Sequence, residues 1–397
     1  MTKTSIVLIL PLLSACQSKS QHPRTFDSMD EDSMILISDD DFADTKPDEN
    51  GFEPLERTEM LDGEMLDQTL EESESYAPMF LSFYYPWYGT PEFSGEWVHW
   101  KDEHHDPERT GPQGFPDIPA AHQPEIGLYD SNDPATLDRH IDLALRARLS
   151  GFIVSWWGID SFEDKAGLKL LKRIEERNVP LKVTIYYEIV PQNDVNNAIA
   201  DIEYILEKWA RSPAFLRIND KPAIFVYSRA VRPRLDCGLG CPPDLPQFID
   251  WKKIRSAVSQ DIFLIADLKS PYLDNPMAIL KDLGFDGWHF YIMAIELWFG
   301  VTAEQYYTKV GELASQSDLW FAATVIPGYD DTKLFDRSFT FAVDREDGSL
   351  FERLLTNALA LKPFAILITS FNEWHEGTEI EPSVEFGDKF ISILASF

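Results

Sequence analysis

Cysteine is scarce in this chain of 397 residues, which has only three, at Cys16, Cys237 and Cys241. A structural zinc site usually takes four ligands, and Cys237 and Cys241 have no companion pair, so the sequence does not predict one. In an exported protein this pair would close a small disulfide loop, and free thiols are the alternative.

Basic residues are also few, with 35 Lys and Arg against 67 Asp and Glu and a formal net charge of −32. Nucleic-acid binding needs a basic surface, so we expect no nucleic-acid partner. Residues 17–77 alone hold nineteen acidic and four basic residues and few apolar ones. Such a composition cannot bury enough surface to offset chain entropy, and it predicts a disordered acidic linker before a domain over residues 78–397.

No apolar run approaches the roughly 20 residues that a membrane-spanning helix needs. The run of residues 6–13 follows Lys3 and ends in Leu13-Ser14-Ala15-Cys16, which is typical of a secretory signal over residues 1–16. Its end resembles a bacterial lipobox, so we expect Cys16 to carry lipid and to anchor the exported protein at the outer membrane or cell surface, or on a periplasmic face. The alternative is an ordinary cleaved signal in which Cys16 has no role.

Several common chemical motifs are missing. No Gly-x-Gly-x-x-Gly follows the first predicted strand, and there is neither a phosphate-binding glycine loop nor a serine nucleophile turn. The segment His104-His105-Asp106 fits no standard zinc spacing, and we interpret it as a solvated loop. We expect no cofactor and no metal ion.

The domain repeats one pattern, an apolar run followed by a polar turn and an amphipathic stretch. The apolar runs cover residues 78–85, 151–157, 181–188, 222–227, 261–267, 286–293, 318–325 and 364–371. The stretches with helical periodicity cover 134–149, 162–177, 195–211, 246–258, 276–283, 303–315, 350–360 and 387–397. Strands and helices that alternate in this way predict a parallel sheet, and eight units predict a (β/α)8 barrel of the TIM type, with an open doubly wound sheet as the alternative.

A barrel of this kind carries its chemistry at the carboxyl ends of its strands. Aromatic and acidic residues follow the predicted strands at those ends, above all in Asn372-Glu373-Trp374-His375-Glu376. Paired carboxylates beside aromatic side chains are what cleavage of a glycosidic bond requires. The long first connection, residues 90–132, should fold over this rim as a lid and form one wall of the groove.

Several segments together resemble glycoside hydrolase family 99, the endo-acting α-1,2-mannosidases and mannanases. They are Phe83-Tyr84-Tyr85-Pro86-Trp87-Tyr88-Gly89, His99-Trp100, Gln123-Pro124-Glu125-Ile126-Gly127-Leu128-Tyr129, Ser155-Trp156-Trp157, Glu188, Pro327-Gly328-Tyr329 and Ser370-Phe371-Asn372-Glu373-Trp374-His375-Glu376-Gly377-Thr378. The similarity runs from about residue 79 to residue 383. The last segment is the most specific of the set.

The resemblance implies a retaining endo-α-mannosidase with an unusual route. Glu373 would act as a base on the 2-hydroxyl of the sugar, which attacks the anomeric carbon and gives a 1,2-anhydro sugar. Glu376 would protonate the leaving oxygen and then activate water. Two close acids in different surroundings have pKa values that are pushed apart, as these roles need.

The resemblance also implies the residues that contact the glycan. Trp157 stands where the family has Trp or Tyr, and the Trp form goes with a mannan-like substrate. Glu188 would bind sugar hydroxyls. The remaining predicted substrate-binding residues are Tyr84, Tyr85, Trp87, His99, Trp156, Tyr291, Tyr329, Asn372, Trp374 and His375.

The chain departs from the family pattern at two places. After Pro327-Gly328-Tyr329 the family commonly has Arg-Pro-Trp-Asn, whereas this chain has Asp330-Asp331-Thr332-Lys333-Leu334-Phe335-Asp336-Arg337. In the sixth predicted strand His289 occupies a position where the family has tyrosine. Both departures put the identity of the glycan in doubt more than the reaction.

Two other functions stay open. The first is a glycosyltransferase-like relative that acts in polysaccharide assembly, although activated sugar donors are cytoplasmic and an exported protein would not meet them. The second is a non-catalytic lipoprotein that captures glycans, which would not need paired acids. We expect a monomer whose partner is an α-mannose-containing glycan.

Overall fold

The computed structural model describes residues 76–111, 114–236, 241–272 and 275–397. The predicted signal segment with Cys16, and the acidic linker up to residue 75, lie outside the described residues. Among the residues that are described, no helix is both long and apolar enough to cross a membrane.

Eight parallel strands form the centre of the fold, and each coincides with a predicted apolar run. They are β1 Met79–Tyr84, β2 Gly151–Trp156, β3 Lys182–Tyr187, β4 Lys221–Val226, β5 Phe263–Asp267, β6 Gly287–His289, β7 Trp320–Val325 and β8 Ala365–Ile368.

The eight strands close on themselves. β1 pairs with both β2 and β8, in a register that places Leu81 opposite Gly151 and Leu367. β3 pairs with β4, so that the sheet has no gap between its two halves. The predicted (β/α)8 barrel is therefore confirmed, and the alternative of an open sheet is wrong.

A helix follows each strand and covers the barrel from outside. The helices are α1 Pro134–Arg146, α2 Phe162–Arg177, α3 Val195–Lys208, α4 Trp251–Ala257, α5 Pro276–Leu283, α6 Ala303–Ser315, α7 Ser349–Ala360 and α8 Lys389–Ala395. Side-chain caps mark the starts of α1, α2, α3, α4 and α6. Asp133 accepts hydrogen bonds from the first backbone amides of α1, and Thr302 with Gln305 forms a capping box at α6.

Two of the predicted elements are shorter in the structure by four or more residues at one end. α4 begins at residue 251 rather than 246, because the side chain of Asp250 accepts a hydrogen bond from Lys253 N and starts the helix there. β6 ends at His289 rather than 293. Beyond it the backbone N–H of Tyr291 donates to Asp267 Oδ1, so the chain has left the strand ladder.

The barrel separates two hydrophobic cores. Side chains that point inward, such as Leu81, Phe83 and Phe225, form the core inside the barrel. Side chains that point outward, such as Tyr84 and Val226, pack against the helices. Successive strand residues alternate between these two cores, and this alternation decides which rim residues face the barrel mouth.

Connections at the carboxyl end of the barrel are long. The segment between β7 and α7 contains an antiparallel pair, Tyr329–Asp330 with Ala342–Val343. The first connection, between β1 and α1, packs against the segment after β8: Glu125 N donates to Pro382 O, and His122 Nδ1 lies 2.9 Å from Glu379 Oε1. The predicted lid therefore meets the loop that carries the two acids.

Candidate active site

The alternation along the strands brings residues from several strands to the barrel mouth. Phe83 points into the barrel and Tyr84 points out, so Tyr85 points in again, directly after β1. The equivalent positions after β2, β3, β4 and β6 are occupied by Trp157, Glu188, Tyr227 and Tyr291.

These side chains surround a cavity of about 470 Å³, its open mouth included. The cavity is lined by Tyr85, Trp87, Trp157, Tyr186, Glu188, Tyr227, Tyr291, Leu334, Arg337, Glu373, His375 and Glu376. An aromatic wall with a few converging polar groups is typical of a site for a small ligand or a segment of a chain. Glu373 and Glu376, which the sequence analysis predicted to be the reacting acids, face this same space.

Local hydrogen bonds fix the loop that carries the two acids. Glu373 N donates to Ser370 Oγ over 2.8 Å, and Glu373 Oε1 accepts from His375 N over 3.1 Å. Gly377 has a positive φ of 56°, and a Cβ atom there would meet the Asp330 backbone at 2.9 Å. The loop therefore packs directly on the segment after β7, and only glycine fits at this contact.

Four residues that line the cavity were given no role by the sequence analysis, namely Tyr186, Tyr227, Leu334 and Arg337, and Arg337 is the charged one among them. Its guanidinium donates to Glu376 Oε1 over 2.9 Å, to Asp331 Oδ2 over 2.7 Å and to Tyr329 Oη over 2.7 Å. The Arg337 side chain is only 7% exposed. A buried guanidinium in contact with one of two neighbouring carboxylates gives the pair unequal surroundings.

Burial and mutual repulsion set the ionisation of the two acids. Burial raises the pKa of Glu373 well above its usual range, and the Glu376 charge raises it further. Burial also raises the pKa of Glu376, but contact with Arg337 opposes the rise. Glu376 has this cation in contact and Glu373 does not, so the surroundings favour the ionised form more strongly for Glu376 than for Glu373.

A third carboxylate, Glu188, lines the same cavity from the end of β3. Its Oε1 accepts a hydrogen bond from Ser155 Oγ over 2.8 Å, and Ser155 Oγ in turn accepts from Trp157 Nε1 over 3.0 Å. Burial raises the pKa of Glu188 to about 8. Near neutral pH the side chain is therefore largely protonated and can donate as well as accept hydrogen bonds.

This shift predicts how stability depends on pH. Glu188 holds its proton in the folded protein up to about pH 8, whereas the unfolded chain releases it near the usual value of 4.5. Stability therefore falls as pH rises between these values. Denaturant unfolding measures the free energy of unfolding of Glu188→Gln and of wild type at pH 5 and at pH 8. The difference between them should shift by roughly 3 kcal/mol in favour of the variant from pH 5 to pH 8. The exposed control Glu352→Gln should show no such trend, and a gain that is equal at both pH values would refute the shift.

Histidine and tryptophan rings build the wall beside the acids. Trp87 stacks on His99 with ring centroids 4.4 Å apart, and His375 Nε2 lies 2.7 Å from the carbonyl oxygen of His99. Burial lowers the pKa of His99 to about 3 and that of His375 to about 4. Both rings are therefore neutral at pH 7. Nε2–H of His375 must donate to the carbonyl, because a carbonyl oxygen can only accept.

Two predicted substrate-binding residues lie away from the cavity. Tyr84 and Trp156 are the last residues of β1 and β2, and both point outward into the core under the helices. Tyr84 Oη bonds to His140 Nδ1 over 2.9 Å, and Trp156 Nε1 donates to Asp164 Oδ1 over 2.8 Å. The structure therefore does not bring these two side chains to the cavity, because the strand alternation turns them away from it.

The position of Trp156 predicts a purely structural effect. Asp164 accepts hydrogen bonds from Trp156, Trp209 and Tyr204, so Asp164→Ala leaves buried donors without partners. We expect a loss of about 3 kcal/mol in the free energy of unfolding, with the turnover of the folded fraction unchanged. The exposed control Asp318→Ala should stay within about 0.5 kcal/mol of wild type. A large fall in turnover at constant stability would show that the Trp156 side of the barrel belongs to the site.

Other predicted residues support the cavity from behind. Asn372 Oδ1 accepts from Tyr85 N over 2.8 Å and its Nδ2 donates to Tyr85 O over 3.0 Å, so Asn372 ties the loop after β8 to the end of β1. Trp374 Nε1 donates to Tyr129 Oη over 3.1 Å. Tyr329 contacts Arg337 and is buried. These three residues hold the cavity wall and the loop in position without lining the cavity.

The predicted lid reaches the site only indirectly. Among its described residues none lines the cavity, so the expectation that it forms a wall of the groove is not met. It contributes from behind instead, through His99 under Trp87 and through contacts of His122 with the loop after β8.

Two expectations concern cysteine and metals. Cys241 is disulfide-bonded, whereas its predicted partner Cys237 lies outside the described residues. In the described ranges no three His, Cys, Asp or Glu side chains are grouped closely enough to hold a metal ion. In the segment 104–106, His105 Nδ1 lies 3.1 Å from both oxygens of Asp102.

Known proteins resemble this chain over the whole barrel. A mouse glycoprotein endo-alpha-1,2-mannosidase is 31% identical over 324 residues, which is 76% of this chain and 67% of the mouse protein. The rat protein of the same name is 30% identical over 326 residues, with the same coverage of both chains. The solved GH99 endo-alpha-mannosidase from Bacteroides thetaiotaomicron matches with a TM-score of 0.65 and 26% identity, over 81% of this chain and 97% of that one.

The sequence model of the family described as glycosyl hydrolase family 99 matches residues 75–389. That range contains all eight strands and every residue that lines the cavity. The chain therefore belongs to glycosyl hydrolase family 99, and it is a glycoside hydrolase.

Proposed function

We propose that this protein is a retaining endo-acting hydrolase that cleaves internal α-mannosidic bonds of mannan-like or mannose-rich glycans. One observation carries the proposal: Glu373 and Glu376 face the same cavity, and Arg337 contacts Glu376 but not Glu373. The names of the mouse, rat and Bacteroides relatives, all endo-α-mannosidases, support the choice of mannose.

The proposed reaction proceeds in two steps. In the first step Glu373 takes the proton of the sugar 2-hydroxyl, and that oxygen forms a bond to the anomeric carbon. The bond from the anomeric carbon to the leaving oxygen breaks, and Glu376 gives this oxygen its proton. In the second step Glu376 takes a proton from water, which attacks the anomeric carbon and opens the 1,2-anhydro ring, and Glu373 returns its proton to O2. Two inversions leave the configuration retained.

Contact with Arg337 favours the ionised form of Glu376, which is the opposite of what the first step needs. Glycan binding would reverse this. A 2-hydroxyl donates a hydrogen bond to Glu373 and favours its ionised form, whereas a linkage oxygen only accepts and favours protonated Glu376. Arg337 can retain its second carboxylate, Asp331, when Glu376 takes up the proton.

We further propose which residues bind the glycan. Trp157, Trp87 and the tyrosines Tyr85 and Tyr291 offer flat faces for sugar rings, and Tyr85 Oη bonds to Tyr291 Oη, which orients both. Glu188, which lines the same cavity, would bind sugar hydroxyls.

A product analysis tests this function. The wild-type domain, residues 78–397, is incubated with yeast mannan and with synthetic α-1,2-mannosyl oligosaccharides, and products are followed by mass spectrometry and by proton NMR. We expect oligosaccharides whose new reducing ends appear first as the α anomer. Release of single sugars alone would argue against endo action, and initial β products would exclude the retaining route. Binding without any cleavage would favour the capture protein.

We also propose, from residues 1–16 alone, that the protein is exported and anchored through lipid on Cys16. The acidic residues 17–77 would then connect the anchor to the domain. Metabolic labelling with a fatty acid in a bacterial host should mark the full-length protein, and Cys16→Ser should remove the label. If neither wild type nor Cys16→Ser is labelled, the protein is not lipidated and residues 1–16 are an ordinary cleaved signal. For the domain we propose a monomer, which size-exclusion chromatography with light scattering tests.

A further inference from the structure

Phe335 is an exposed aromatic side chain at the edge of the cavity. It lies in the segment between β7 and α7, next to Leu334 and two residues before Arg337, both of which line the cavity. Yet the Phe335 side chain is 61% exposed. A ring that is mostly exposed to water contributes little burial free energy to the fold. Phe335 therefore has no role in the hydrophobic core.

Two histidines of the first connection hold the Phe335 ring in place. His105 lies parallel to it, with ring centroids 5.2 Å apart and an angle of 6° between the planes. His104 meets it edge-on at 5.4 Å. His105 is itself buried, and its Nδ1 lies 3.1 Å from the Asp102 carboxylate. The Phe335 ring is therefore held in one position before a ligand binds. Binding then costs little side-chain conformational entropy.

The position of Phe335 places it on the leaving-group side of the substrate. Within the proposed function, on which this inference rests, Glu376 protonates the leaving oxygen, and Arg337 contacts Glu376. The segment that holds Arg337 and Phe335 therefore covers the leaving-group side. An endo-acting enzyme has sugar residues on both sides of the bond that it cuts, so the chain on this side must leave the cavity over this edge.

We propose that Phe335, backed by His105, is a stacking site for a neutral pyranose ring of the glycan on the leaving-group side, outside the cavity. The C–H face of a pyranose is apolar and fits an aromatic ring that is supported from behind. The barrel domain has forty-eight acidic residues against thirty basic ones, which disfavours an anionic polymer as the occupant.

The test compares Phe335→Ala with Phe364→Ala. Phe364 is equally exposed, at 62%, but it precedes β8 at the opposite end of the barrel. On α-mannan and on oligosaccharides that extend several sugars past the cleaved bond, Phe335→Ala should lower kcat/KM about tenfold. On a substrate whose leaving group is a single sugar it should have no effect. Phe364→Ala should match wild type on both substrates, and Phe335→Trp should retain the preference for long substrates. Thermal unfolding of each variant checks the fold.

Three outcomes would overturn the stacking site: an equal loss on long and short substrates, no loss on either, or the same loss in Phe364→Ala. If wild type cleaves neither substrate, the proposed function is wrong, but the stacking site is still open to test. Titration calorimetry then compares the affinity of wild type and Phe335→Ala for the longer oligosaccharide. In that case Phe335→Ala must still weaken binding of the longer oligosaccharide about tenfold. Equal affinities would overturn the inference.

Discussion

Glu373→Gln and Glu376→Gln should each lower the rate of oligosaccharide release from α-mannan by about 10³-fold, because each removes a proton-transfer group from the transition state. Glutamine keeps the size of the side chain, so the cavity and the glycan affinity should survive. Both groups line the cavity; Glu373 is buried and Glu376 is partly buried. The measurement is kcat/KM for both variants beside the exposed control Glu352→Gln, which should equal wild type.

The two variants should differ on one kind of substrate. With a leaving group that departs without protonation, such as fluoride, the first step no longer needs an acid. The loss in Glu376→Gln should then shrink for that step, whereas the loss in Glu373→Gln should not. Equal losses on both substrates would contradict the roles assigned to the two acids, and normal cleavage by both variants would remove the proposal entirely.

Arg337→Met should lower kcat/KM at pH 7 by about 10²-fold and should move the whole pH profile to higher pH. The guanidinium favours the ionised forms of Glu373 and Glu376 and so holds both pKa values down against burial. The active form of the pair carries one proton. The acid limb of the profile reports loss of the first proton from the pair, and the alkaline limb reports loss of the last. Without Arg337 both pKa values rise, so both limbs shift in the alkaline direction.

Arg337→Lys is the matched control. It keeps the positive charge but loses the geometry with which Arg337 reaches Glu376, Asp331 and Tyr329 together. We expect reduced activity with a pH profile close to that of wild type. A profile that stays in place in Arg337→Met would contradict the electrostatic role, and loss of activity without a shift would leave Arg337 a purely structural part of the wall.

The barrel could be predicted because its pattern is local. Each strand is a short apolar run between turns. α2 and α6 have the predicted bounds because Ser161 and Thr302 cap their starts, and α5 has them because Pro276 begins it and Gly284 ends it. The two acids could be predicted for the same reason, since they follow the last apolar run directly.

The choice of rim residues failed where the alternation along the strands was not applied. Tyr84 and Tyr85 are neighbours in the sequence, as are Trp156 and Trp157. In each pair only the second residue points into the barrel. Counting by two from an inward residue such as Phe83 would have separated them.

Arg337 could not be placed from the sequence. It belongs to a segment of irregular structure between β7 and α7 that folds back through the antiparallel pair at 329–330 and 342–343. Its approach to Glu376 depends on contacts between residues 39 positions apart. The departure from the family pattern at 330–337 was the one signal that this segment differs, and both Arg337 and Phe335 lie in it.

A structure of the Glu376→Gln domain with a bound α-1,2-linked mannose oligomer would test the roles of the two acids most directly. We expect a sugar in the cavity with its 2-hydroxyl in hydrogen-bond contact with Glu373, and the linkage oxygen of the same sugar in contact with the side chain at position 376. A glycan that binds outside the cavity, or one that lies in it with both acids turned toward other atoms, would contradict the account.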